Sequence, residues 1–187
     1  MDGGTITLLV ILGIVVLIAL YAVGVYNGLV TLRNRVKNAW SQIDVQLKNR
    51  ADLIPNLVET VKGYAAHERG TFEEVVRARN QAVNAKTVEE SVEANNNLTA
   101  ALSRLMVVVE AYPQLKADQN FLSLQNDLRG VEDKIRYSRQ FYNDTVMKYN
   151  TDIEVFPKNI FAGIFNFTQE PLFKAAETDR EVPRVQF

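Results

Sequence analysis

The chain has 187 residues, with 21 Lys and Arg against 22 Asp and Glu, one histidine and no cysteine. That length supports one modest core, and the near-neutral balance argues against nucleic acid as a partner. The absent cysteine excludes disulfides, thiol catalysis, cysteine-based zinc sites and iron–sulfur clusters, and a single His67 excludes a multi-histidine metal centre.

Residues 6–25 read ITLLVILGIVVLIALYAVGV, with no charge and only the hydroxyls of Thr7 and Tyr21. At 1.5 Å per residue, 20 such residues span about 30 Å, the thickness of a bilayer core. Ile6, Leu12, Val16, Leu20 and Val25 mark this candidate membrane-spanning helix, which follows a short N-terminal tail at 1–5. A cleaved signal peptide competes with it, because Ala22-Val23-Gly24 resembles a small-x-small cleavage site. Residues 1–5 carry no Lys or Arg, however, and the apolar run is longer than a signal core requires. Arg33, Arg35 and Lys37 follow the run, with no basic residue before it. The positive-inside rule therefore predicts a single-pass protein with its N-terminus outside and its body in the cytoplasm. Gly24-x-x-x-Gly28 is a candidate helix-dimer notch at the membrane edge.

Residues 26–67 read as one amphipathic helix, with Val36, Trp40, Ile43, Leu47 and Ile54 in a seam where Arg50 or Ala51 fills the gap. Pro55 interrupts the pattern, yet Leu57, Val58, Val61 and Tyr64 continue the stripe, which favours a kink over an end. Thr71 with Glu74 and Thr87 with Glu90 are capping-box spacings, predicting helices over 72–84 and 88–111. Pro113 ends the second of these. A long helix over 118–156 carries Phe121, Leu128, Ile135, Tyr142, Tyr149 and Phe156 at sevenfold spacing, and Pro157 stops it. The segment 160–167 that follows is apolar, and Ile160, Phe161, Ile164, Phe165 and Phe167 are candidate contacts to lipid or to a neighbouring subunit. Residues 174–187 form a polar tail.

These lengths predict an all-α fold: an N-terminal transmembrane helix continuing into an antiparallel up-down four-helix bundle over 26–173. In that topology the last long helix returns toward the membrane and brings the 160–167 segment beside Tyr26. If residues 72–111 were instead one bent helix, the bundle would have three helices; the cap at Thr87 favours four. Asp44 is either a buried partner for Arg33, Arg50 or Arg139 or a solvated side chain. The search for catalysis is empty. His67-Glu68 sits at a helix end, the first-turn glutamates complement helix dipoles, and no phosphate-binding glycine loop is present. The expectation is a non-enzyme without cofactor or metal.

The blocks Tyr26-Asn27, Ala39-Trp40-Ser41-Gln42-Ile43-Asp44, Arg50-Ala51-Asp52-Leu53-Ile54-Pro55-Asn56-Leu57 and Val61-Lys62-Gly63-Tyr64 closely resemble the LemA family. Glu132, Ile135, Arg139, Tyr142-Asn143, Asn150 and Phe156-Pro157 also match its pattern. The resemblance implies a bacterial single-pass membrane protein with a helical-bundle domain and no attached enzymatic activity. It implies a setting in membrane shaping or in membrane-protein quality control beside an HtpX-like membrane peptidase. Some relatives carry a lipoprotein cysteine just before the Tyr-Asn pair; this chain has Val25 there, and a domain outside the cytoplasm would suit the family equally. Two readings follow: a membrane scaffold that self-assembles as a homo-oligomer on the bilayer, and an adaptor for a membrane peptidase.

Overall fold

A computed structural model describes residues 2–173; the polar tail at 174–187 and Met1 lie outside the described residues. Six helices follow in order: α1 (Gly3–Lys62), α2 (Arg69–Asn84), α3 (Val88–Glu110), α4 (Pro113–Lys116), α5 (Gln119–Glu154) and α6 (Lys158–Ile164). No strand occurs among the described residues. The fold is all-α, with an N-terminal apolar helix that continues unbroken into a helical bundle. α1 already begins at Gly3, inside the stretch read as a tail.

The described residues divide into two compact units, one of 2–39 with 143–170, the other of 40–142 with 171–173. In the second unit the C-terminal part of α1, the hairpin α2–α3 and the N-terminal part of α5 form the four-helix bundle. Ile54, Leu57, Val58 and Val61 of α1 meet Phe72 and Val75 of α2, Leu98, Leu102 and Leu105 of α3, Leu115 of α4 and Phe121 of α5 in one buried cluster. α2 and α3 are separate helices, as the four-helix reading requires.

Pro55 lies inside α1 and does not end it. A proline has no N–H, so the carbonyl four residues earlier loses its helical donor. That carbonyl belongs to Ala51, and Arg79 of α2 donates its Nε–H to it at 3.2 Å. The break in the hydrogen-bond ladder is thus filled from a neighbouring helix.

The two capping boxes fare differently. Thr87 accepts from the Glu90 N–H at 3.1 Å, and the Glu90 carboxylate accepts from the Thr87 N–H, opening α3 at Val88. Thr71 does not cap. α2 begins at Arg69, and the N-cap position, Glu68, makes no side-chain cap. The Phe72 N–H donates to the Glu68 carbonyl, closing a turn upstream of Thr71, while the Glu74 carboxylate is taken by Arg104 of α3. Pro113 ends α3 as expected and then opens α4, a short turn that buries Leu115.

Along α5 in the second unit, Phe121, Ile135 and Tyr142 are buried on the sevenfold stripe. In the first unit Tyr149 is buried on the same stripe, and Val146 and Ile153 are buried with it. A straight α-helix drifts by about 20° per heptad, which moves the interior face one position along. Phe156 is 79% exposed, because α5 has ended at Glu154 and the stripe loses its phase there.

Candidate membrane-proximal site

The first unit holds every residue that the sequence nominates for membrane or subunit contact. Ile6, Leu12, Val16 and Leu20 are exposed along α1, and none of the apolar 18-residue window is covered by protein. Val25 is the first residue of this helix to be buried, followed by Leu29, Leu32, Val36 and Ala39, and Val146, Tyr149 and Ile153 of α5 are buried in the same unit. Gly24 and Gly28 are exposed, and a Cβ at either position would meet nothing within 4 Å, so that side of α1 is open.

The 160–167 segment lies beside Tyr26, as the four-helix topology requires. Phe161 packs edge-to-face on Tyr21 with ring centroids 5.7 Å apart. Phe165 and Phe167 do the same on Tyr26, at 5.0 and 5.8 Å. The Arg33 guanidinium lies 5.2 Å from the centre of the Phe167 ring. Such ring pairs contribute about 1 kcal/mol each beyond the area they bury.

The chain reaches this arrangement by a specific helix ending. Asn166 takes φ 55°, the left-handed conformation that asparagine tolerates better than most residues. The Phe167 N–H donates to the Ala162 carbonyl at 2.9 Å and the Asn166 N–H to the Gly163 carbonyl at 3.2 Å. This pair of bonds is a Schellman ending, and it turns Phe167 inward, where it is buried. The two outward residues, Ile160 and Ile164, are four apart and stay exposed at 51% and 64%.

Polar side chains of α5 hold the segment after α6. The Tyr149 hydroxyl donates to the Thr168 carbonyl at 3.0 Å. The Asn150 side-chain amide pairs with the Glu170 backbone in both directions, at 2.9 Å each. Burial raises the Tyr149 hydroxyl above its ordinary pKa; the Glu170 charge adds to this and the Arg33 charge partly offsets it. Lys158 pairs with Asp152 at 2.7 Å.

In the second unit, Arg50 fills the gap in the α1 seam. It is 2% exposed and donates to the Thr99 hydroxyl, the Glu132 carboxylate, and both the backbone and side-chain oxygens of Asn95. Four of its five N–H groups are therefore spent on α3 and α5, and Nε is buried without a partner. A cavity of about 550 Å³ adjoins this cluster, with Arg139 and Phe173 in its wall. The Phe173 ring stacks on the Arg139 guanidinium at 4.5 Å and lies near Trp40, which packs edge-on against Tyr142 at 5.6 Å. Tyr142 also donates its hydroxyl to the Pro171 carbonyl at 2.8 Å.

Asp44 is exposed and solvated, and Trp40 is a half-buried packing residue. His67 is exposed in the turn between α1 and α2. Among the described residues no group of three or more His, Asp or Glu could hold a metal ion.

Sequence reasoning did not anticipate the Arg50–Asn95–Glu132 cluster, although the missing apolar residue in the α1 seam and the mid-helix asparagines were its signal. The hydrogen bonds from Tyr142 and Tyr149 to the Pro171 and Thr168 carbonyls were not anticipated either, because a tyrosine on a heptad stripe reads as core.

The exposed apolar helix and the helical bundle are those of a membrane-associated helical protein with a candidate N-terminal membrane span. The LemA family pattern matches residues 39–187, and the chain belongs to the LemA family. It is 27% identical to Protein LemA of Metamycoplasma hominis, over 84% of this chain and 73% of that protein. It is 26% identical to the magnetosome proteins MamQ 1 and MamQ 2 of Paramagnetospirillum magneticum, over 80% of this chain. A magnetosome protein MamQ of Magnetospirillum gryphiswaldense is 25% identical over 79% of the chain. The chain spans 64% of the length of these magnetosome relatives.

Proposed function

We propose that this protein is a non-enzymatic, membrane-anchored scaffold that self-assembles at the bacterial inner membrane and serves membrane shaping or organisation. The observation that carries the reading is α1 itself. Its N-terminal part, to Tyr21, is exposed apolar surface, the Gly24–Gly28 side that follows is open, and its last third builds the bundle core. A helix that is both anchor and core element couples what the bundle meets to what the membrane segment meets. Helices in lipid associate by close backbone approach at small residues, and this open side permits it. The names of the magnetosome relatives agree with a role at a membrane. The Arg33, Arg35 and Lys37 cluster supports a cytoplasmic bundle. The polar groups nearest to a chemical site, around Arg50, are spent on one another, which supports the non-enzymatic reading.

The adaptor reading has one observation in its favour. An open groove of about 680 Å³ runs along α2, with Phe72 and Val76 in its floor and Arg69 and Arg77 at its edges, and a peptidase segment could lie in it. The molar mass of the full-length chain in mild detergent, by light scattering, separates the two. The scaffold gives a large homogeneous assembly that Gly24→Leu with Gly28→Leu reduces. A monomer or dimer of the wild-type chain refutes the large assembly and favours the adaptor.

A further inference from the structure

The aromatic segment carries a partner assignment. Phe161 touches Tyr21, which lies four residues before the end of the apolar run at Val25. At 1.5 Å per residue that contact sits about 6 Å inside the apolar span. Phe165 and Phe167 touch Tyr26, the first residue beyond it. α6 therefore crosses the level at which the α1 apolar surface gives way to polar residues.

Two sides of this segment are apolar, and only one is used. Phe161, Ala162 and Phe167 turn toward the first unit's core. Phe156, Ile160 and Ile164 are exposed at 79%, 51% and 64%. In water such a face is costly, at about 25 cal/mol per Å² of apolar surface. From Val155 to Gln169 there is no acidic residue, and the single cation, Lys158, is paired with Asp152. The carboxylates that precede this stretch, Asp152 and Glu154, are held by Lys158 and by the Gln169 side-chain amide.

We propose that α6 is an interfacial helix that lies in the headgroup–acyl boundary beside α1, with Phe156, Ile160 and Ile164 inserted into one leaflet. The occupant of the exposed face is lipid, because the face continues the exposed surface of α1 at the same depth. Interfacial helices bury their apolar side by roughly 5–10 Å, the depth that the Tyr21 contact defines. The segment gives the protein a second, one-sided foothold, and a wedge in one leaflet favours curvature. This rests on the membrane-anchored reading but not on self-assembly.

The absence of native cysteine allows single labels on the full chain. Ile160→Cys, Ile164→Cys and, for comparison, Tyr137→Cys on α5 and Leu12→Cys in the span are each given an environment-sensitive fluorophore. The proteins are reconstituted in phosphatidylethanolamine–phosphatidylglycerol vesicles. Lipid carrying a nitroxide near its headgroup should quench the labels at 160 and 164 severalfold more than the label at 137. Iodide in the water should do the reverse. Iodide access at 160 and 164 equal to that at 137 overturns the proposal. Shielding from both quenchers also overturns it and assigns the face to a second copy of the chain. Lipid quenching at Leu12 without quenching at 160 and 164 refutes the interfacial helix alone. Lipid carrying its nitroxide deep in the acyl chain probes Leu12, and no quenching there refutes the anchor on which the proposal rests.

Discussion

Arg50 holds α1, α3 and α5 in one register, and its value lies in what its loss would leave behind. Arg50→Ala strands the Asn95 side-chain oxygen in the interior, while the Asn95 carbonyl keeps the Thr99 hydroxyl, and should cost about 2 kcal/mol of stability. Glu132→Gln keeps a hydrogen-bond acceptor on a side chain that is 41% exposed and should cost less than about 1 kcal/mol. Thermal melts of the full chain by circular dichroism would rank them; equal losses would mean that the ion pair, not the buried amide, carries the effect. Arg79 makes a second test. Arg79→Met leaves the Ala51 carbonyl without a donor, at about 1.5 kcal/mol. In a Pro55→Ala background the helix regains its own donor, so the same substitution should cost much less. Additive losses in that double-mutant cycle would refute the compensation. Tyr149 gives a pH test. Its folded-state pKa is raised, so the unfolded chain loses this proton first. The stabilisation is whole below the ordinary tyrosine value of about 10 and is lost as pH rises through the folded value. Tyr149→Phe should remove that alkaline decline; an unchanged slope would assign it to another group.

At the scale of the elements, identical sequence patterns had different outcomes because their neighbours differed. Thr87→Ala should cost about 1 kcal/mol, the usual value of an N-cap, while Thr71→Ala should be close to neutral because Thr71 caps nothing. Chemical denaturation of the pair checks this, and a comparable loss at Thr71 would show that α2 begins later than Arg69. The endings of α5 and α6 show the same dependence. The heptad pattern continues on paper to Phe156, but the helix stops at Glu154 and that ring becomes surface. Asn166, unremarkable in the sequence, supplies the left-handed residue that reverses the chain and delivers Phe167 to Tyr26.

At the scale of the whole molecule, the full chain should remain in the membrane pellet after an alkaline carbonate wash, because about 20 apolar residues without a charge have no other place to be buried. Release into the wash would contradict the anchor. Helix content, the long apolar helix at the N-terminus, the continuation of α1 through Pro55 and the separation of α2 from α3 were all legible in the sequence. Periodicity, unbroken hydropathy and the Thr87 cap are local signals, and local signals suffice where one face of a helix must be apolar. The position of the 160–167 segment beside Tyr26 was also legible, from helix lengths alone. Other features depended on which residues meet across helices. Arg50 reads as a gap until Asn95 and Glu132 surround it, and Arg79 reads as a charged surface residue until the Ala51 carbonyl needs a donor. Tyr142 and Tyr149 read as core until their hydroxyls meet the carbonyls of Pro171 and Thr168. The sequence by itself determined which segments are helical and which faces are apolar, because the 3.6-residue period and transfer from water act residue by residue. Only the tertiary structure decided which polar groups pair and which apolar face stays uncovered, because a donor's partner is set by distance in space.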